Sequence, residues 1–423
     1  LYESDFPSPA DSAREAVMES VRTPIGSAAL RSLIRQRRPS RVVVVVSDVT
    51  RPIPYGEFLP ELLAEIEASG VARDNILLLI ATGMHRPGTP GERVAMFGRE
   101  TVGKYRLVDH RAGDDDQLGT VPGRSFRGNA VTLNRHFLDA DFRITTGLVE
   151  PHFMTGFSGG RKSVCPGLSS LRTIHEFHGY EALSSPRATS GVLVGNPCHQ
   201  ESLSVARLAG VDFSVNVVLN QHRQVVRVFA GDLEQAHAHA CELVRQCACP
   251  AVERLADVAL TSSGGYPLDA TFYQCVKSMV TSLPSLRPGG IILAFGSCLE
   301  GIGSPEYESI LRQYSGRWRN FLDEIRTASR FFKDQWQLQM QCRALDHVGQ
   351  DHLVFFTGGL DRDSLRKLSV NPESTFPHSP EDLLQKRIDK LSRAGKCFAV
   401  FPEGPYCTPI PPGPGTASYK PGD

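Results

Sequence analysis

Short apolar runs alternate along this chain with stretches in which apolar residues recur every three or four positions. Residues 42–46, 76–80, 143–146, 214–218 and 225–229 read as buried strands, each of strand length and closed by polar or turn residues. Between them, Phe58, Leu59, Leu62, Leu63 and Ile66 form one helical stripe ending at Gly70. Residues 233–247, after Gly231-Asp232, read as another helix. A second series of strands follows at 258–260, 291–295, 353–356 and 398–401, with helices near 307–313 and 380–391. This alternation predicts an α/β fold of two domains with mostly parallel sheets. A boundary near 250–255 gives a larger N-terminal domain, 1–252, and a smaller C-terminal one, 253–407. Residues 408–423, rich in Pro and Gly, read as an extended or disordered tail.

A length of 423 residues suits two domains, each able to bury its own core. The 46 basic and 46 acidic residues cancel, so no global field recruits nucleic acid or an anionic membrane. The apolar runs are too short to span a bilayer. The ten cysteines include no CxxC pair, which points to reduced thiols and a cytoplasmic protein. Cys241, Cys247 and Cys249 lie near His237 and His239, but their spacing scatters them around a helix rather than onto one metal.

Candidate chemistry gathers where strands end. One strand runs into Asp48-Val49-Thr50-Arg51-Pro52, the next into Gly83-Met84-His85-Arg86-Pro87, the third into Glu150-Pro151-His152. Parallel sheets bind ligands outside the carboxyl ends of their strands, so these loops are expected to share one cleft between the domains. Imidazole titrates near neutrality, which suits His85 and His152 to exchange protons from two faces of a substrate. The Arg51 guanidinium suits a carboxylate. Backbone N–H groups along Ser158-Gly159-Gly160 suit a phosphate, and Lys162-Ser163 follow as in a P-loop, but Arg161 replaces its second glycine. Gly156-Phe157-Ser158-Gly159-Gly160 also fits the G-x-S-x-G elbow, although a Pro151 turn precedes it where a strand is required. His175 and His178 could share a helical face. Tyr273 and Lys277, four apart, would share the face of a second-domain helix able to close over the cleft.

Together these motifs resemble the nickel-dependent lactate racemase family over nearly the whole chain. The resemblance rests on Asp48-x-Thr50-Arg51-Pro52, Gly83-x-His85-Arg86-Pro87, Glu150-Pro151-His152, Ser158-Gly159-Gly160-Arg161-Lys162, His178 and Tyr273-Gln274-x-x-Lys277. It implies a nickel-pincer nucleotide (a pyridinium-3-thioamide-5-thiocarboxylic acid mononucleotide carrying nickel) tethered at Lys162, with His178 as the protein's nickel ligand. It implies His85 and His152 as paired acid and base. Asp48, Arg51, Gln274 and Lys277 would orient the substrate, with Tyr273 and Trp336 lining its pocket. Other proteins would have to build and supply the cofactor.

The expected activity is racemisation of a 2-hydroxy acid by hydride transfer to and from the cofactor through a 2-keto acid. One carboxylate site with aromatic walls favours lactate-like substrates. Malate and sugar acids would lose hydration against those walls, and a second carboxylate would need a further cation, for which Arg86, Arg161 and Arg172 are candidates. Readings of another class are a serine hydrolase using Ser158 and a non-catalytic 2-hydroxy-acid binding protein.

Overall fold

The computed structural model describes residues 1–327, 331–372 and 379–410. In the first part of the chain the strands are β1 (Val42–Ser47), β2 (Ile76–Ala81), β3 (Arg106–Asp109), β4 (Leu118–Val121), β5 (Val131–Asn134) and β6 (Phe142–Leu148). There follow β7 (Pro151–His152), β8 (Gly156–Phe157), β9 (Phe213–Leu219) and β10 (Val225–Gly231). The second part holds β11 (Ala256–Ser262), β12 (Leu286–Phe295), β13 (Leu353–Phe356), β14 (Asn371–Pro372) and β15 (Phe398–Phe401).

Six strands make one sheet in the order β10-β9-β6-β1-β2-β3, and five make another in the order β14-β13-β12-β11-β15. Every neighbouring pair in both sheets is parallel except β10 with β9. The exception follows from a short connection, 220–224, that turns the chain straight back.

Strand β1 explains why a pure valine run was needed. Val42, Val44 and Val46 pack with Val17, Leu59 and Leu63 on one face, while Val43 and Val45 meet Phe153, Val164 and Leu168 on the other. A parallel strand covered on both faces cannot alternate with polar residues. The helix Tyr55–Ala68 covers the first face with Phe58, Leu59, Leu62, Leu63 and Ile66, the stripe read from the sequence. The helix Leu233–Ala248 is capped by Asp232, buries His237 and Cys241, and turns His239 to solvent.

The two sheets are laced together. In the helix Gln335–Val348, Arg343 donates to the carbonyls of Ala188 (2.7 Å), Ser185 (2.6 Å) and Leu183, and Gln339 donates to Tyr180 O at 2.9 Å. At the start of the chain, the Tyr2 N–H reaches Val400 O at 2.8 Å and its ring stacks on Phe401 at 4.9 Å. Residues 408–410 are ordered within the expected tail. The Thr408 N–H bonds Ala248 O, and Ile410 is buried beside Ala251. The remainder of that tail lies outside the described residues. No helix among the described residues is long and apolar enough to cross a membrane.

Candidate active site

The loops that leave β1, β2 and β6 meet as the parallel topology requires. Asp48, one residue beyond β1, is buried; its Oδ1 accepts from the Thr50 hydroxyl at 2.6 Å and from the Thr50 N–H at 3.2 Å. Its Oδ2 lies 2.6 Å from His85 Nδ1. Burial alone would raise the Asp48 carboxyl. The His85 and Thr50 contacts, with Arg51 nearby, outweigh it and hold the carboxyl below its ordinary range. A carboxylate there keeps the proton of neutral His85 on Nδ1, so the lone pair sits on Nε2. Asp48 thus orients a histidine, beyond the substrate contact expected of it.

His152 has the opposite polarity. Its Nδ1 accepts from the backbone N–H groups of Met154 at 3.2 Å and Thr155 at 3.3 Å. The neutral ring must therefore carry its proton on Nε2. Burial, then the charges of Lys162, Lys277 and Arg51, push His152 well below the ordinary imidazole range. Arg51 Nη1 meets Glu150 Oε1 at 3.2 Å.

Lys162 is delivered by a turn that only glycine permits. Gly160 has φ 51°, and a Cβ there would come within 2.7 Å of the His237 ring. Arg161 points inward, fully buried, donating to Thr155 O and Phe157 O at 2.9 Å, with Nη1 2.7 Å from His237 Nε2. The expected phosphate cradle is not open at two of its three N–H groups. That of Ser158 bonds Glu150 O and that of Gly160 bonds Asn216 Oδ1. The Ser158 hydroxyl donates to Leu148 O at 2.7 Å and accepts from the Glu150 N–H, so it has no base to activate it. A serine nucleophile is thereby excluded.

Burial, then Arg51, Arg161 and Lys277, push the Lys162 amine well below its usual value. Lys277, on the helix Phe272–Thr281 of the second domain, falls to about 7, chiefly through burial and then through Arg51. The charges of Arg51 and Lys277 thus act on both His152 and Lys162. On the same helix Gln274 Oε1 is buried with no hydrogen-bond partner, and the Tyr273 hydroxyl accepts from Trp336 Nε1 at 2.8 Å.

His178 ends the helix Leu171–Phe177, and its Nδ1 donates to Ile174 O at 3.0 Å. Nε2 is left with the lone pair, and burial lowers the ring to about 3, so it stays neutral. Trp336 stacks on it at 4.5 Å. His175 instead stacks on Phe331 at 3.9 Å and does not join His178. Among the other arginines, Arg86 pairs with Glu92 and Arg172 is exposed.

Sequence reasoning left the Arg51–Glu150 pair unseen, because nothing local couples residues 99 apart. It also left the Trp336–His178 stack unseen, since no tight motif surrounds Trp336.

A two-domain α/β fold with a carboxylate-held His85 and buried, strongly perturbed His152, Lys162 and Lys277 has the character of an enzyme. Comparison with known proteins narrows that reading. Residues 1–191 match the lactate racemase N-terminal domain and residues 252–404 the lactate racemase C-terminal domain. The chain is 34% identical to the lactate racemase of Lactiplantibacillus plantarum over 397 residues, covering 93% of this chain and 90% of that one. It is 34% identical to the lactate racemase of Thermoanaerobacterium thermosaccharolyticum over 79% of this chain and 78% of that one. The solved apoprotein of a lactate racemase from the latter organism superposes with a TM-score of 0.86 at 30% identity, covering 95% and 94% of the two chains. A Thermotoga maritima protein at 17% identity and TM-score 0.71 shares the fold. The chain belongs to the lactate racemase family and is an isomerase of 2-hydroxy acids.

Family membership implies a nickel-pincer nucleotide, and the residues present fit it. His178 offers a neutral Nε2 to a metal. Lys162 offers an amine whose charged form burial and the neighbouring cations disfavour, which favours the neutral form that a covalent tether needs.

Proposed function

We propose that this protein racemises monocarboxylic 2-hydroxy acids with small or apolar side chains, lactate being the simplest. Residues 1–252 would hold the cofactor and bases, and residues 253–407 would close the site. The observation that carries this reading is the opposite hydrogen-bond polarity of His85 and His152, with the charges of Arg51 and Lys277 both acting on His152. Two cations suffice for one carboxylate, and its arrival restores the charge that burial takes from Lys277. Arg86 and Arg161, the candidates for a second carboxylate, are engaged elsewhere, and Arg172 faces solvent. Tyr273 and Trp336 supply an aromatic wall that favours an apolar side chain and disfavours a charged or polyhydroxylated tail.

Lys162 would tether the nickel-pincer nucleotide and His178 would hold its nickel, and the bound group would supply a reversible acceptor for the α-hydrogen as hydride. His85, held by Asp48, takes the hydroxyl proton at Nε2 as the substrate becomes a planar 2-keto acid. Gln274 Oε1 offers an acceptor to the bound substrate. His152 presents Nε2–H to the oxygen from the other face. For His152 to take a proton in the reverse direction, its ring must turn over or the 152–155 turn must release Nδ1.

The test uses protein made together with the proteins that build the cofactor. Chiral chromatography should show lactate racemised, with kcat/KM falling from lactate and 2-hydroxybutyrate to malate and gluconate. Intact mass and metal analysis should show added nucleotide and nickel. A preference for malate or gluconate would overturn the substrate assignment. Binding without a change of chirality would instead indicate a 2-hydroxy-acid sensor.

A further inference from the structure

Glu150 stands at the edge of a cavity between the domains. It lies two residues beyond β6, and its ion pair with Arg51 is mostly buried, the two side chains being 18% and 24% exposed. Lys162 and Lys277 lie close enough for Glu150 to oppose the repulsion that Arg51 exerts on each. The other carboxylate near Arg51, Asp48, is already committed to His85 and Thr50. Glu150 is therefore the carboxylate that occupies Arg51 where a substrate's own carboxylate is expected.

The cavity that Glu150 lines measures about 450 Å³ and is shared by both domains, and its walls include Pro52, Arg223, Ser262, Gly264 and Tyr406. That space exceeds what a propionate side chain fills. Arg223, whose guanidinium donates to Tyr266 O at 2.8 Å, and Tyr406 belong to its lining together with Asp269 and Glu403, and Tyr406 feels the charges of Glu150 and Arg51 beside its burial.

We propose that Glu150 is an internal occupant of the substrate-carboxylate position. It holds Arg51 in place while the site is empty, and swings towards Arg223 and Tyr406 when the carboxylate of a 2-hydroxy acid takes Arg51. This rests on the reading of Arg51 as the carboxylate partner. One carboxylate replaces another on the same guanidinium, so the incoming anion gains less than it would from a bare cation. Its apparent affinity is reduced by the fraction of enzyme in which Arg51 is already occupied. The same exchange helps product leave, because Glu150 returns to the vacated arginine. Glu150 is a positioning residue that touches neither the reacting carbon nor its oxygen.

The experiment compares Glu150→Gln and Glu150→Asp with the parent in cofactor-loaded enzyme. Glu150→Gln should lower KM for lactate by about 3–10-fold, the effect of losing one partly buried ion pair. It should lower the inhibition constant of propionate, which has no hydroxyl to react, by a similar factor, while kcat stays level or falls. Glu150→Asp, charged but one methylene shorter, should lie between. A KM and an inhibition constant that rise or stay unchanged in Glu150→Gln would overturn the proposal and leave Glu150 as a brace for Arg51. If Glu150→Gln fails to fold or load, Tyr406→Phe and Arg223→Ala decide. Each removes a landing group and should raise KM with kcat unchanged, and no change in either overturns the proposal. Arg51→Ala with unchanged KM would sink the underlying carboxylate assignment separately.

Discussion

At the scale of single residues, the site depends on where each imidazole keeps its proton. His85 is fixed by a carboxylate at 2.6 Å and His152 by two backbone N–H groups, so the rings present opposite polarity although both are histidines. Each direction of racemisation needs one base and one acid. Replacing either ring with Ala should therefore lower kcat by about 10²–10⁴-fold in both directions, read by chiral chromatography. Full activity in either variant contradicts the pairing. Asp48→Asn should fall between parent and His85→Ala, because an amide still accepts from Nδ1–H but no longer stabilises an imidazolium. Asp48, Arg51, His85 and His152 were legible as candidates because they sit in short motifs just beyond strands, whereas Trp336 lies in a helix with no motif around it. The hydrogen-bond polarity of the two histidines was not legible, since it depends on which backbone groups fold back onto Nδ1.

At the scale of elements, the long apolar strands and the best helices declared themselves through unbroken apolar runs or a clear 3.6-residue stripe, while short strands such as β3, β4 and β5 carried too few residues to do so. The helix Gln335–Val348 did not. Its opening, Gln-Trp-Gln-Leu-Gln-Met-Gln, alternates polar and apolar residues with the period of a strand. Four glutamines that a surface reading would leave in water, Gln335, Gln337, Gln339 and Gln341, are all buried. Tertiary partners explain three of them: Gln337 donates to Tyr273 O, Gln339 to Tyr180 O and Gln341 to Leu368 O. A buried amide whose N–H is taken up by another element is invisible to any local pattern. The same helix carries Trp336 onto His178, and Arg343 fastens it to three carbonyls of the first domain. Arg343→Ala leaves those carbonyls without their charged donor and should cost about 2–4 kcal/mol in denaturant unfolding. It should also speed nickel loss to a chelator, because the indole over His178 is no longer held. Unchanged stability and nickel retention would show that the helix is anchored by other contacts.

At the scale of the whole molecule, burying neutral histidines ties stability to pH. His110, held between Ser169 O and the Asn134 amide, is lowered to about 4 by burial, and His178 and His237 to about 3. Unfolded, each titrates near 6.5. Below that pH the unfolded chain binds protons that the folded one refuses. Stability contributed by these rings is thus complete above about pH 6.5 and erodes as pH falls towards 4, by about 1.4 kcal/mol per pH unit for each ring. Denaturant titrations between pH 8 and 4.5 should show a plateau and then this decline, shallower by one ring in His110→Gln. A flat profile would mean that the rings protonate without unfolding. One further consequence belongs to the first residues of the chain. Strand β15 is the last in its sheet, and its outer backbone would otherwise be free to recruit a strand from another molecule. Tyr2 occupies that margin, bonded at Val400 and stacked on Phe401, so an incoming chain must first evict a segment of the protein itself.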